Sequence, residues 1–169
     1  MSTEPLLKID GLVKQFGGLT AVNDFNMEIP EGAIYGLIGP NGAGKTTVFN
    51  LVTGIIPPTK GTVIFNGEDI TGQKPHLIAR KGIARTFQNI RLFGSQSVYN
   101  NIITVTQAQM NYNLLDAVLH LPRYTKSEKA MATYTNTLLE MMGLTAYKDM
   151  DASNLAYGLQ RRVEIARAM

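Results

Sequence analysis

One stretch constrains this chain more than any other: Gly39-Pro40-Asn41-Gly42-Ala43-Gly44-Lys45-Thr46-Thr47 fits G-x-x-x-x-G-K-[ST] at every fixed position. Glycines let a backbone bend around an anion with no side chain in the way. Successive N–H groups then point inward, at the positive end of the helix that follows. Lys45 adds a full charge able to reach β- and γ-phosphates, and the Thr46 hydroxyl is placed to ligate Mg²⁺. The mechanism demands a strand before the loop and a helix after it. Residues 33–38, a short apolar run bounded by glycines, read as a strand buried on both faces. Residues 46–53 read as a helix, with Gly54 to end it and Pro57-Pro58 beyond. A chain built this way binds a nucleoside triphosphate or descends from one that did.

The surrounding sequence reads as sheet first and helices second. Phe25, Met27 and Ile29 alternate with Asn26 and Glu28, the pattern of a half-buried strand, closed by Pro30-Glu31-Gly32. Residues 62–65 meet Asn66-Gly67, a two-residue hairpin signal, with a return strand from Glu68. From about Gln88 helical spacing takes over. Val98, Ile102 and Val105 are followed by Leu114, Leu115, Val118 and Leu119, then by Met131, Tyr134, Leu138 and Met141, with Gly143 just past the end. In the last helix Leu159, Val163 and Ala166 form the apolar stripe, and Arg161, Arg162 and Arg167 read as its solvated face. The methionines read as core filler.

Composition narrows the function classes. Over 169 residues, 44% hydrophobic and 17% charged content suits a packed domain rather than a disordered chain. A net charge of +3 is too mild to argue for nucleic acid. The absence of cysteine excludes disulfides and thiolate metal sites, and is consistent with a reducing setting. No apolar run is long enough to span a membrane, and Met1-Ser2-Thr3-Glu4-Pro5 shows no secretory signal. His76 and His120 stand alone, without ligand spacing.

Three segments carry a more specific likeness. Gly39 through Thr47 resembles the Walker A loop of ATP-binding cassette (ABC) ATPases, Arg85-Thr86-Phe87-Gln88 resembles their Q-loop, and Leu155-Ala156-Tyr157-Gly158-Leu159-Gln160-Arg161-Arg162 resembles their signature segment. Phe16-Gly17-Gly18-Leu19-Thr20-Ala21-Val22, Arg85 through Phe93, and Asn154 through Gly158 are similar to the ATP-binding subunits of branched-chain amino-acid importers. Importers of urea, other amides and other amino acids share much of that wording. The resemblance implies an α/β fold of the ABC-type P-loop NTPase: a partial mixed sheet with N-terminal antiparallel strands, plus a helical subdomain. Residues 1–88 would be the nucleotide-binding core and 89–169 the helical subdomain.

The resemblance also implies roles. Phe16 would stack on adenine, with Val22 beside it. Gln88 would touch Mg²⁺ and the attacking water of ATP. Residues 89–93 would lie near the groove for the coupling helix of a membrane-spanning permease subunit. The signature residues Leu155, Ala156, Tyr157, Gly158 and Leu159 would act in trans on ATP bound to a second ABC subunit, as a homo- or heterodimer. A solute-binding protein outside the membrane would be an indirect partner, nucleic acid would not be one, and the site of action would be peripheral, on the cytoplasmic membrane face.

Two departures from the family pattern stand out. Ala156 and Tyr157 replace the common Ser-Gly but fit the branched-chain subgroup, whereas Leu159 stands where a glutamine is expected. The strand ending in Asp and catalytic Glu, the dimer-contact loop and the γ-phosphate-sensing histidine would follow Met169. The first reading is therefore a truncated importer ATPase, inactive and marginally stable alone. A catalytically inactive nucleotide-binding or regulatory protein is the alternative of another class, and a soluble ABC protein of translation or DNA repair a third. Abstracting a proton from the attacking water needs a carboxylate within hydrogen-bond reach. The 169-residue chain is thus expected not to hydrolyse ATP, and phosphate release above that of a Lys45→Ala control would contradict this.

Overall fold

A long hairpin opens the chain. β1 (Leu7–Phe16) and β2 (Leu19–Ile29) pair antiparallel, from Leu7 opposite Ile29 to Phe16 opposite Leu19. This is a computed structural model, and it describes residues 4–87, 89–106, 116–117, 119 and 121–169. They divide into two units, Met1–Ile83 and Ala84–Met169.

In the first unit, β1 also pairs with β3 (Lys60–Phe65), which turns into the short β4 (Glu68–Asp69), giving the antiparallel order β2-β1-β3-β4. The turn residues Asn66 and Gly67 have φ of 50° and 76°, the positive pair that the Asn-Gly hairpin signal requires. Two bulges decide which side chains face inward. Ile9 and Leu12 are both buried although three residues apart, because β1 carries an extra residue around Gly11. Asn26 fills the gap, its Oδ1 accepting the Gly11 N–H at 2.7 Å. A second extra residue, in β2 where Asp24 has φ 46°, turns Val22 into the core and leaves Phe25 half-buried at its edge.

Against the sheet lie α1 (Lys45–Val52) and α2 (Pro75–Arg80). Val48 and Leu51 of α1 and Ile78 of α2 join Ile9, Leu12, Val22 and Val63 in one core. Helix α1 stops where Gly54 allows it to. With φ 70°, Gly54 donates to the Leu51 carbonyl at 3.2 Å, and Ile55 donates to Asn50 at 2.9 Å. These two bonds satisfy the last carbonyls of the helix.

The expected strand over residues 33–38 does not form. The segment has no ladder partner among the described strands, and Ile34 and Ile38 are almost fully exposed. The apolar pattern suits a strand, but a strand exists only where a neighbour takes up its N–H and C=O groups.

The second unit is helical, built from α3 (Val98–Thr106), α4 (Pro122–Met141) and α5 (Tyr157–Ala168). Val98, Ile102, Leu138, Leu139, Leu144, Leu155, Val163 and Ala166 form its core. Helix α4 ends like α1: Gly143 has φ 64° and donates to Glu140, and Leu144 donates to Leu139 at 2.8 Å. The stripe of α4 differs from the expected one. Met131, Thr135, Leu138 and Leu139 are buried, whereas Tyr134 and Met141 are exposed. Tyr134 instead uses its hydroxyl, donating to the Met169 carbonyl at 3.1 Å. The methionines divide likewise: Met131 is core, Met27 and Met142 pack on core edges, and Met141, Met150 and Met169 are exposed. Leu119 is exposed in a turn, while Leu114, Leu115, Val118 and His120 lie outside the described residues.

Gly61 gives the fold a direct test. It has φ 87°, and a Cβ there would stand 2.4 Å from the Gly11 carbonyl oxygen. Gly61→Ala is expected to destabilise the protein by about 2 kcal/mol or more. Gly18→Ala, with open space and no positive φ, should be close to neutral. Urea midpoints at unchanged slope would check both.

Candidate functional site

The loop of residues 39–47 meets α1 at Gly44, which serves as N-cap with φ 81°. Two physical demands fix glycine there: the left-handed φ, and the Ala21 carbonyl oxygen 2.4 Å from where a Cβ would be. Gly42, with φ 87°, supplies the preceding bend. No side chain caps α1 and no acidic residue lies in its first turn. Its leading N–H groups and the positive end of its dipole are therefore left to an external acceptor. Lys45 folds back over the loop, its Nζ donating to the carbonyls of Gly39 at 2.6 Å and Pro40 at 2.7 Å. Ala43 closes a turn onto Pro40 at 3.2 Å, Asn41 and Thr46 are exposed, and Thr47 is half-buried.

Beside the loop is a cavity of about 170 Å³, lined in part by Ala21, Val22, Leu37, Ala43, Lys45 and Val48. Val22 is thus brought to the loop, with its Cγ2 3.5 Å from the position of a Gly44 Cβ. Phe16 ends β1 with its ring half exposed, and the Lys14 ammonium lies 5.1 Å from the ring centroid. Gln88 lies outside the described residues. Among the described residues no cluster of His, Asp and Glu could hold a metal alone, and His76 has no such company. A hard cation here would need oxygen ligands from a bound phosphate, joined by a neutral hydroxyl such as that of Thr46.

In the second unit, the segment from Leu155 to Leu159 turns the chain into α5. Leu155 is buried, Ala156 is the extended N-cap (φ −57°, ψ 147°), and Tyr157 opens the helix at 69% exposure. A Cβ on Gly158 would meet nothing. The side chain of Gln160 donates from Nε2 back to the Leu155 carbonyl at 2.9 Å, which fixes the turn. No side chain caps this helix either, and its first turn is free of acid. Leu159 points the other way, packed against the helical core.

The arginines of α5 are not the plain solvated face expected. Arg161 and Arg167 are half-buried, and only Arg162 is exposed. Arg161 pairs with buried Glu164, and Arg167 donates to the Arg91 carbonyl with its guanidinium 5.0 Å from the Phe93 centroid. Burial pushes the Arg167 guanidinium below its usual pKa, opposed by the charge of Glu164. The sequence concealed this because the groups that receive these arginines are mainly backbone. Asn101 was missed for the same reason. Fully buried, it accepts the Phe93 N–H at 2.9 Å and donates to the carbonyls of Phe93, Gln96 and Ser97.

Known proteins of the same kind are numerous. The chain is 44% identical over 167 residues to the high-affinity branched-chain amino acid transport ATP-binding protein BraF of Pseudomonas aeruginosa, covering 99% of this chain and 66% of that protein. The corresponding protein LivG of Escherichia coli gives the same identity and coverage. The lipopolysaccharide export system ATP-binding protein LptB of Escherichia coli is 35% identical, over 96% of this chain and 62% of that one. The chain thus spans slightly under two thirds of the length of these relatives. Among solved structures, the ADP conformation of MJ1267, an ATP-binding cassette of an ABC transporter, superposes with a TM-score of 0.80 at 30% identity, covering 98% of this chain and 65% of that one. CbiO1 from Clostridium perfringens, part of the ABC transporter complex cbiONQ, gives 0.79 at 27% identity, over 98% and 61%. The fold is that of these cassettes, and residues 22–169, which include the loop, α1 and α5, match the ABC transporter family, to which this chain belongs.

Proposed function

We propose that the protein is the ATP-binding and ATP-hydrolysing subunit of an importer, most closely fitted to branched-chain amino acids. The observation that carries the nucleotide reading is the uncapped start of α1, preceded by a glycine loop and covered by Lys45. Such an arrangement offers backbone N–H groups, a helix dipole and one mobile ammonium to a polyphosphate. On this reading Lys45 exchanges its two carbonyl partners for β- and γ-phosphate oxygens. Residues Gly39 to Thr47 wrap the phosphates, and Phe16 and Val22 hold the adenine side. Thr46 and Gln88 would hold Mg²⁺, which when bound neutralises phosphate charge. Tyr157 and Gly158 would present their N–H groups to nucleotide on a second subunit, making ATP the link between two cassettes. The permease subunits and the solute-binding protein follow from kinship with the transport proteins BraF and LivG, as does a place at the cytoplasmic membrane face. No helix among the described residues is long and apolar enough to cross a membrane, which accords with a peripheral subunit.

The solute is the finer part of the proposal. ATP turnover by the complete protein, assembled with its permease and solute-binding protein, should be stimulated by leucine, isoleucine or valine. Stimulation by urea or a short amide instead would move the assignment to that class.

Lys45 provides the test of the nucleotide reading. Lys45→Ala in the complete protein should weaken ATP binding at least roughly tenfold, the scale of a lost charged hydrogen bond. It should also abolish ATP-stimulated dimerisation while the domain stays folded. Unchanged nucleotide affinity would remove the phosphate-loop assignment.

Leu159 raises a second reading, an impaired or regulatory nucleotide-binding protein, because leucine packs on the helical core where a glutamine would have a polar end free to reach a facing nucleotide. Replacing it in the complete protein, Leu159→Gln, should raise ATP turnover severalfold and tighten ATP-driven closure. It should also lower Tm slightly, since Leu159 packs on the helical core. Equal turnover in the two forms would make Leu159 neutral and leave the helix N-terminus to act through its backbone alone.

A further inference from the structure

The described residues between Ala84 and Phe93 form neither helix nor strand, so side chains or water must satisfy their backbone. The residue Phe87 is held at both polar groups by one helix. Glu164 Oε1 of α5 accepts the Phe87 N–H at 3.1 Å, and Arg161 Nη1 donates to the Phe87 carbonyl at 2.5 Å. The two side chains also pair with each other at 2.5 Å. Further along α5, Arg167 takes the Arg91 carbonyl, and from α3 Asn101 takes both polar groups of Phe93. Glu164 is only 7% exposed. Burying a carboxylate for stability alone is a poor bargain, since an apolar pair of similar volume usually does as well. What the ionic arrangement adds is direction: a donor and an acceptor, one turn apart on a helix, that fit one peptide in one orientation.

We propose that Glu164 and Arg161 are positioning residues that fasten Phe87 to α5, so that the chain directly ahead of Gln88 moves with the helix that Ala156 caps. Arg161 and Glu164 lie about 7.5 and 12 Å along α5 from that cap, at 1.5 Å per residue, and a helix packed on a core carries displacement over that span without bending. A shift of α5 when its N-terminus engages nucleotide therefore reaches Phe87 as a translation of its peptide plane. This role rests on the functional reading above for Gln88 and the signature segment; the clamp itself does not.

The experiment separates the two. In the complete protein assembled with its permease, Glu164→Ala, Arg161→Ala and the exchange Arg161→Glu with Glu164→Arg are compared by amide hydrogen exchange at Phe87, nucleotide affinity and ATP turnover. The exchange keeps an ion pair on α5 but sets like partners against Phe87, a carboxylate at its carbonyl and a guanidinium at its N–H. Expected are Phe87 exchange at least tenfold faster in Glu164→Ala and in the exchanged pair, nucleotide affinity within twofold of wild type in all, and kcat at least tenfold lower with KM unchanged. Arg161→Ala, at a half-exposed position, keeps the fold and should lose kcat severalfold. If Phe87 exchange is unaltered in every folded variant, the clamp is overturned. If exchange accelerates while kcat stays at wild type, or if the exchanged pair restores kcat, the positioning role is overturned. Wild-type turnover no higher than that of Lys45→Ala would instead overturn the ATPase reading, leaving the clamp to be judged by exchange alone.

Discussion

The backbone of Gly44 rests against the carbonyl of Ala21 with no space for even a methyl group between them, and the loop end of the first unit depends on that contact. It brings the start of α1 to the middle of β2, so that Val48 and Leu51 drop onto Val22, Leu12 and Ile9. It also sets the loop beside Val22 rather than out in solvent. Catalytic loops are often placed by the scaffold beneath them. Here loop and scaffold share one residue, and substitution at Gly44 would disturb the packing and the shape of the loop together.

Much of the fold was legible because its signals are local. The Asn66-Gly67 hairpin, the Gly54 and Gly143 helix ends and the alternation through Phe25, Met27 and Ile29 depend on residues within a few positions of each other, and all are present in the structure. Signals that depend on distant partners fared worse. The run 33–38 has the composition of a buried strand but no neighbour among the described residues to complete it. The stripe of α4 was displaced from Tyr134 and Met141 to Thr135 and Leu139. Helical spacing fixes which residues share a face, but which face turns inward is decided by the partner helix. The bulges at Gly11 and Asp24 break strict alternation, and only the cross-strand side chain of Asn26 explains the first of them.

The loop was legible for a chemical reason: wrapping a phosphate leaves few choices of residue, and those choices are contiguous. The buried polar groups of the helical unit had no such signature. Nothing in the sequence sets Glu164 and Asn101 apart from surface polar residues on amphipathic helices, yet each is buried because it serves the backbone of a segment far along the chain or around a turn. Arg161 and Arg167 misled for the same reason, since an arginine that donates to a carbonyl leaves no partner visible in sequence. The strongest sequence signals were contiguous motifs, and the weakest were those where side chain meets main chain.

Exposed residues 33–38 have a consequence for the behaviour of the molecule in solution. Ile34, Tyr35 and Ile38 lie open in a short apolar segment whose backbone finds no ladder partner among the described strands. Such a segment is a template for strand addition by another chain. Its length and β-branched content, with no charge and no proline inside it, match the pattern that seeds intermolecular pairing. A net charge of only +3 offers little long-range repulsion against such pairing. Whatever shields them governs how much of the protein stays dispersed.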